Sequence, residues 1–179
     1  MRRLIALGLF IIAAIAGHFL TLYLVPSVIK NATQTRLADQ GLALNQWAAA
    51  PRMTPQTQTI VRPSPDLSYT ICRFDLQEGA MLISAPGWDR YGSLSIFDDR
   101  TNNVFVANLD GENAGILLYH PTRPPKEEGR FYIRQDEDAL AFSGEGLALI
   151  RRVAPSVQQH SASADLIEDS VCGPVNWSP

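Results

Sequence analysis

The chain has 179 residues, with 15 Lys or Arg against 18 Asp or Glu, and a net charge of −3 at pH 7. This balance, with lysine only at Lys30 and Lys126, is a poor electrostatic footprint for nucleic acid, which we therefore exclude as a partner. Twelve glycines and twelve prolines favour a folded domain of short strands joined by turns.

The first element is an apolar segment. From Leu4 to Val25 the chain has no acidic residue, lysine or arginine, and these 22 residues would span about 33 Å as a helix, enough to cross a lipid bilayer. Arg2 and Arg3 precede it, which predicts a cytoplasmic N-terminus and a translocated C-terminal domain. Cleavage after the signal-like sequence at residues 14–16 would leave an apolar new N-terminus. We therefore predict an uncleaved anchor over residues 1–26.

Small residues form one face of this segment. Ala13, Ala16, Gly17 and Thr21 share that face, and Ala13 with Gly17 forms a small-xxx-small pair. Such a face is typical of ordinary transmembrane composition. It is also the pattern through which a helix contacts itself or another membrane protein.

Residues 27–56 are predicted to form a helical connector. Apolar and small side chains from Leu37 to Ala48 recur at helical spacing, and Pro51 and Pro55 would end the helix. Pro26 either ends the membrane helix or kinks it, so the connector would continue the first helix or lie along the domain.

The pattern changes to period two between residues 57 and 154, which predicts strands. Candidate strands cover residues 57–61, 68–76, 80–85, 91–98, 103–108, 114–120, 129–134 and 146–153. Asp110-Gly111 stands between two of them and predicts a hairpin. Short strands at this spacing indicate an all-β sandwich or a jelly-roll-like domain, preceded by the transmembrane helix and the helical connector.

The last segment, residues 155–179, is a polar tail in which residues 164–171 are predicted to form a short helix. The two cysteines are Cys72, in a predicted core strand, and Cys172, in this tail. A disulfide between them is permitted if the domain lies outside the cytoplasm, and it would pin the tail to the sheet. The alternative is two unrelated thiols, with Cys72 a small buried residue.

Catalytic motifs are scarce. The sequence contains no G-x-S-x-G, H-E-x-x-H, C-x-x-C, Walker A or G-x-G-x-x-G pattern. Asp98 to Asn103 is rich in oxygen ligands, but its spacing matches no standard calcium loop, and a capped turn is the simpler interpretation. We predict neither a metal nor a cofactor, and we lean against an enzyme.

A series of short segments occurs in this order along the chain: Arg62-Pro63-Ser64-Pro65-Asp66, then Leu67-Ser68-Tyr69, Phe74-Asp75-Leu76, Ile83-Ser84-Ala85-Pro86, Arg90-Tyr91-Gly92-Ser93-Leu94, Asp98 to Phe105 and Leu147 to Arg151. Together these segments resemble the domain-of-unknown-function 1254 family. Ser64 and Leu67 stand where the family has asparagine and threonine. The resemblance implies a β-sandwich or jelly-roll fold and no settled activity. Long members carry a second domain, of the domain-of-unknown-function 1214 type. The chain therefore resembles a short membrane-anchored form, for which a separately encoded companion membrane protein is an expected partner.

Six residues are our candidates for a polar site at one end of the sandwich: Arg62, Asp66, Tyr69, Asp98, Asn102 and Arg151. A polar cluster there would either pin the entry of the strand or bind a ligand.

Two functions follow as hypotheses. The first is a non-enzymatic interaction or scaffold module, anchored in the bacterial inner membrane with its β-domain in the periplasm. The alternative is a small-ligand-binding or hydrolytic enzyme that uses the polar cluster.

Overall fold

The computed structural model describes residues 1–55, 63–119 and 144–175. Within them one long helix precedes a domain of two antiparallel β-sheets, which confirms the predicted fold class. The predicted strands at 57–61 and 129–134 lie outside the described residues.

Helix α1 runs from Arg2 to Asp39 and is long and apolar enough to cross a membrane. Pro26 lies inside the helix and does not end it. The helix stops at a Schellman motif, in which Gly41 at φ 85° and Leu42 donate their N–H groups to the carbonyls of Ala38 and Leu37.

The prediction of helix throughout the connector is therefore wrong beyond Asp39. The positive φ of Gly41 turns the chain out of the helix, and residues Gln46–Ala49 form strand β1 on the edge of the sheet. Trp47 and Ala48 pair there with Cys72 and Ile71, so their side chains follow the pleat of the sheet and not a helical face.

The larger sheet contains β1 and four further strands: β2 (Leu67–Asp75), β4 (Gly92–Phe97), β5 (Asn103–Asn108) and β7 (Glu145–Val153). Their order in the sheet is β1-β2-β7-β4-β5. Burial alternates strictly along β2 and β7, so one face of this sheet packs inward and the other is partly exposed.

The smaller sheet contains β3 (Met81–Ala85) between β6 (Ala114–Leu118) and β8 (Val171–Pro174). The predicted hairpin at Asp110-Gly111 is wrong, because β5 pairs with β4 in one sheet and β6 pairs with β3 in the other. Gly111, at φ 75°, instead turns the chain from one sheet to the next.

The core lies between the two sheets. Its fully buried side chains come mainly from Phe74, Met81, Ile83, Leu94, Ile96 and Ile150. Cys72 of β2 and Cys172 of β8 form a disulfide across this core, with their Cα atoms 6.6 Å apart. The bond joins the larger sheet to the smaller one.

The C-terminal segment is more ordered than the predicted polar tail. Helix α2 runs from Val157 to Asp165, earlier than the predicted helix at 164–171, because Ser156 and Gln159 form a capping box that starts it. Strand β8 follows and pairs with β3.

Candidate functional site

Asp98 directly follows strand β4 and organises the turn into β5. Its Oδ1 atom accepts the backbone N–H groups of Arg100 and Asn102, each at 2.8 Å, and its Oδ2 atom accepts the side-chain amide of Asn102 at 2.8 Å. Thr101 adopts a positive φ of 65° within the same turn. The carboxylate of Asp98, 6% exposed, thus bonds to its own turn, which is the capped-turn interpretation.

Tyr69 and Asp66 lie where β2 begins. The hydroxyl of Tyr69 accepts the backbone N–H of Ser64 at 3.0 Å, and Ser64 Oγ accepts the N–H of Asp66 at 3.4 Å. The carbonyl of Asp66 accepts the N–H of Ala154. These bonds hold the strand entry, while the carboxylate side of Asp66 is exposed. Arg62 lies outside the described residues.

Arg151 is the predicted site residue that meets Tyr69. The two residues are register partners on β7 and β2, and Ser93 of β4 lies opposite Arg151 on the other side. Nη2 of Arg151 donates to Ser95 Oγ at 3.3 Å. Its Nε atom is buried and has no hydrogen-bond partner in the described part of the chain.

The five candidates within the described residues do not form one cluster. Tyr69, Arg151 and Ser93 lie at one level of the sheet, and Asp98 follows Ser93 by five residues. At about 3.3 Å per residue, Asp98 lies about 16 Å further along β4. Asp98 and Asn102 therefore belong to the opposite end of the sandwich from Asp66 and Tyr69.

Arg152 is a buried charge that the sequence analysis did not single out. It is 0% exposed, pairs in register with Ser68, and points to the inner face of the sheet. Its Nη2 donates to the carbonyl of Pro86 at 2.9 Å and its Nη1 to the carbonyl of Ser163 at 3.4 Å. Burial lowers the pKa of Arg152 to about 10, so the side chain stays charged at pH 7.

The sequence did contain a pattern that places Arg152 in the interior. Ala148 and Ile150 point inward, and the same alternation places Arg152 inside and Arg151 outside. Its guanidinium bonds join β7, the turn at Pro86 and helix α2. Arg152 therefore links these three parts of the domain through hydrogen bonds inside it.

An open groove of about 570 Å³ lies at the same end of the sandwich, lined by residues 88–91, 110 and 111. None of the five candidates within the described residues lines this groove. Within the described residues no three or more His, Cys, Asp or Glu side chains are grouped as metal ligands.

At the other end of the sandwich, helix α1 packs against the larger sheet. Lys30 Nζ lies 2.7 Å from Glu145 Oε2, and Gln34 Nε2 donates to the carbonyl of Gly146 at 3.2 Å. Arg73 Nε donates to Gln34 Oε1, and Arg73 Nη1 donates to the carbonyl of Leu42 at 3.0 Å. A Cβ on Gly146 would overlap the ring of Phe74 on the inner face of the sheet, so the packing of β7 against Phe74 requires glycine there.

The fold thus defines a class: a two-sheet β-sandwich carried on a long apolar helix. Residues 44–157 match a family model described as "Protein of unknown function (DUF1254)". The chain belongs to the DUF1254 family.

Among solved structures, the fold is similar to that of the VPA0106 protein from Vibrio parahaemolyticus, with a TM-score of 0.58 and 13% identity. The match covers 84% of this chain and 36% of that one, so the chain spans about a third of its structural neighbour. At this identity the likeness concerns the fold. No curated protein is significantly similar to the chain.

Proposed function

We propose that this protein is a single-pass membrane protein of the bacterial inner membrane, whose periplasmic β-sandwich binds another envelope protein. The observation that carries the proposal is the attachment of α1 to the sheet. The same helix that is apolar enough to cross a bilayer contacts the domain through Lys30 and Gln34. A domain tied in this way would keep one orientation at the membrane surface.

The disulfide supports a periplasmic location for the β-sandwich. Bonds such as that between Cys72 and Cys172 persist in oxidising compartments and are rare in the cytoplasm. Arg2 and Arg3 ahead of the apolar run favour the same orientation.

An exposed edge strand supports a protein partner. Within the described residues, strand β5 is an edge of the larger sheet, and its Val106 side chain is 55% exposed. An edge strand with an exposed β-branched residue is a surface on which another chain can pair. We propose β5 as the contact with a companion membrane protein.

The test is purification of the full chain in mild detergent followed by mass spectrometry, with Val106→Lys beside a matched Val157→Lys. Val157 begins α2 and is 63% exposed. We expect one companion to co-purify with the wild type and Val157→Lys and to be lost with Val106→Lys. A monomeric profile with no co-purifying protein would overturn the partner proposal. An enzymatic alternative has no support in the separated positions of Tyr69 and Asp98.

A further inference from the structure

The turn between β4 and β5 contacts helix α1 nearer to its apolar part than the Lys30–Glu145 ion pair does. The guanidinium carbon of Arg100 in this turn lies 4.7 Å from the ring centroid of Tyr23. These two helix positions are seven residues apart, or about 10 Å along the axis. The turn is thus an extension of the sandwich alongside the end of the span.

The position of Tyr23 relative to the bilayer follows from its distance along helix α1. Twenty residues separate it from Arg3, which corresponds to about 30 Å at 1.5 Å per residue. The hydrocarbon core of a bilayer is also about 30 Å thick. With Arg3 at one interface, Tyr23 lies at the other, where tyrosine is enriched and where lipid phosphates begin.

The guanidinium of Arg100 has N–H donors available for such a phosphate. In the described part of the chain its guanidinium has the Tyr23 ring as its contact and takes part in no ion pair, while its backbone N–H is held by Asp98. Stacking on an aromatic face leaves the in-plane N–H donors of an arginine available, and two of them fit a phosphate. The carboxylate of the neighbouring Asp99 would compete with a phosphate for the guanidinium of Arg100. Asp99 is half-buried and one of its carboxylate oxygens is shielded, so this competition is only partial.

We propose that the β4–β5 turn is a lipid-contact site, in which Arg100, stacked on Tyr23, binds the phosphate of an anionic lipid headgroup. The proposal rests on the membrane anchoring proposed above. The hydrogen bonds of Asp98 explain how this turn is held, and the proposal adds a role for its exposed side. It also orients the sandwich with its Asp98 end toward the bilayer. The end with the Trp88 groove and Arg152 then faces away from it.

The test uses the full chain in lipid nanodiscs that contain phosphatidylglycerol with a photoreactive headgroup. Labelled peptides are mapped by mass spectrometry after digestion with a protease that does not cleave at arginine. The variants are Arg100→Gln, Arg100→Lys and, as a matched control, Arg90→Gln, an exposed arginine at the far end of the sandwich.

We expect the peptide with residues 98–103 to be labelled in the wild type and about fivefold less in Arg100→Gln, the factor that corresponds to about 1 kcal/mol per basic side chain at an anionic surface. Arg100→Lys retains most of the labelling, because it keeps the charge, and Arg90→Gln retains all of it. Helix α2 remains unlabelled throughout. Unchanged thermal midpoints establish that the variants fold.

Equal labelling in the wild type and in Arg100→Gln would overturn the inference, as would an unlabelled turn beside a labelled end of α1. Both results leave the membrane anchor intact. Failure of α1 itself to be labelled, or loss of the protein from the nanodiscs, would instead contradict the proposed anchoring.

Discussion

Lys30 of helix α1 and Glu145 of strand β7 form an ion pair of 2.7 Å in which the lysine side chain is 8% exposed and the glutamate side chain 45% exposed. The pair joins residues 115 positions apart and fastens the apolar helix to the sandwich. Because only the lysine is buried, the two partners are not equivalent.

Removal of the glutamate is expected to cost more than removal of the lysine. Glu145→Ala leaves a buried ammonium without its partner and lowers the free energy of unfolding by about 2 kcal/mol. Lys30→Met leaves a glutamate that water can solvate and costs about 1 kcal/mol or less. Urea unfolding of both variants in detergent measures the difference. Equal losses would contradict the assigned burial.

The disulfide is expected to be a large contributor to stability. Cys72 and Cys172 enclose a separation of 100 residues, for which the chain-entropy model gives up to about 4.7 kcal/mol. The double variant Cys72→Ala/Cys172→Ala should unfold at a lower temperature and lose protection of the β8 amides in hydrogen exchange. Addition of a reductant should lower the midpoint of the wild type and leave that of the double variant unchanged. A wild type insensitive to reductant would count against the bond.

Arg152 is expected to be structural. Arg152→Met keeps much of the volume but leaves the carbonyls of Pro86 and Ser163 without a donor, and we expect a loss of about 2 kcal/mol. Arg152→Lys cannot reach both carbonyls with one ammonium and should be intermediate. Arg90→Met, at an exposed arginine, is the control and should change stability by less than about 0.5 kcal/mol. Thermal unfolding of the three variants tests this order.

The pH dependence of stability is expected to contain a contribution from His160. Burial, and then the positive charge of Arg52, lower the pKa of this histidine below 6.5. The unfolded chain therefore binds a proton more readily, and folded stability falls as the pH drops from about 6.5 toward the lowered pKa. His160→Gln should flatten that part of the curve. An identical slope in the variant would exclude His160 as its source.

Asp98 is expected to act on its turn and not on a reaction. Asp98→Ala removes three hydrogen bonds and should lower the free energy of unfolding by about 1–3 kcal/mol. Asp98→Asn keeps an acceptor for a backbone N–H and should cost less. Hydrogen exchange at Arg100 and Asn102 reports the loss directly, since both amides are bonded to this carboxylate. Retained protection in Asp98→Ala would contradict the capping role.

The period-two pattern was sufficient to predict the sandwich, because each strand buries one face and its apolar residues alternate. The end of α1 was not predictable from spacing alone. Leu37, Gly41 and Leu44 continue a helical repeat, but the backbone of Gly41 favours a positive φ, and pairing of β1 with β2 competes with further helix.

The relative positions of the described candidate residues were not predictable for a different reason. Segments that are neighbours in a family pattern need not meet in space, because strand order and direction decide where their side chains lie. The β2-β7-β4 order brings Arg151 beside Tyr69, and the direction of β4 carries Asp98 to the other end. Such long-range pairings are not encoded in local spacing.

Protease accessibility in bacteria stripped of their outer membrane tests the central proposal most directly. The full chain would carry a C-terminal epitope, with a cytoplasmic protein as an internal marker. We predict that the chain sediments with the inner membrane and that added protease removes the epitope while the marker stays intact. Protection of the epitope until the inner membrane is opened, or recovery of the chain in the soluble fraction, would contradict a periplasmic sandwich on a membrane anchor.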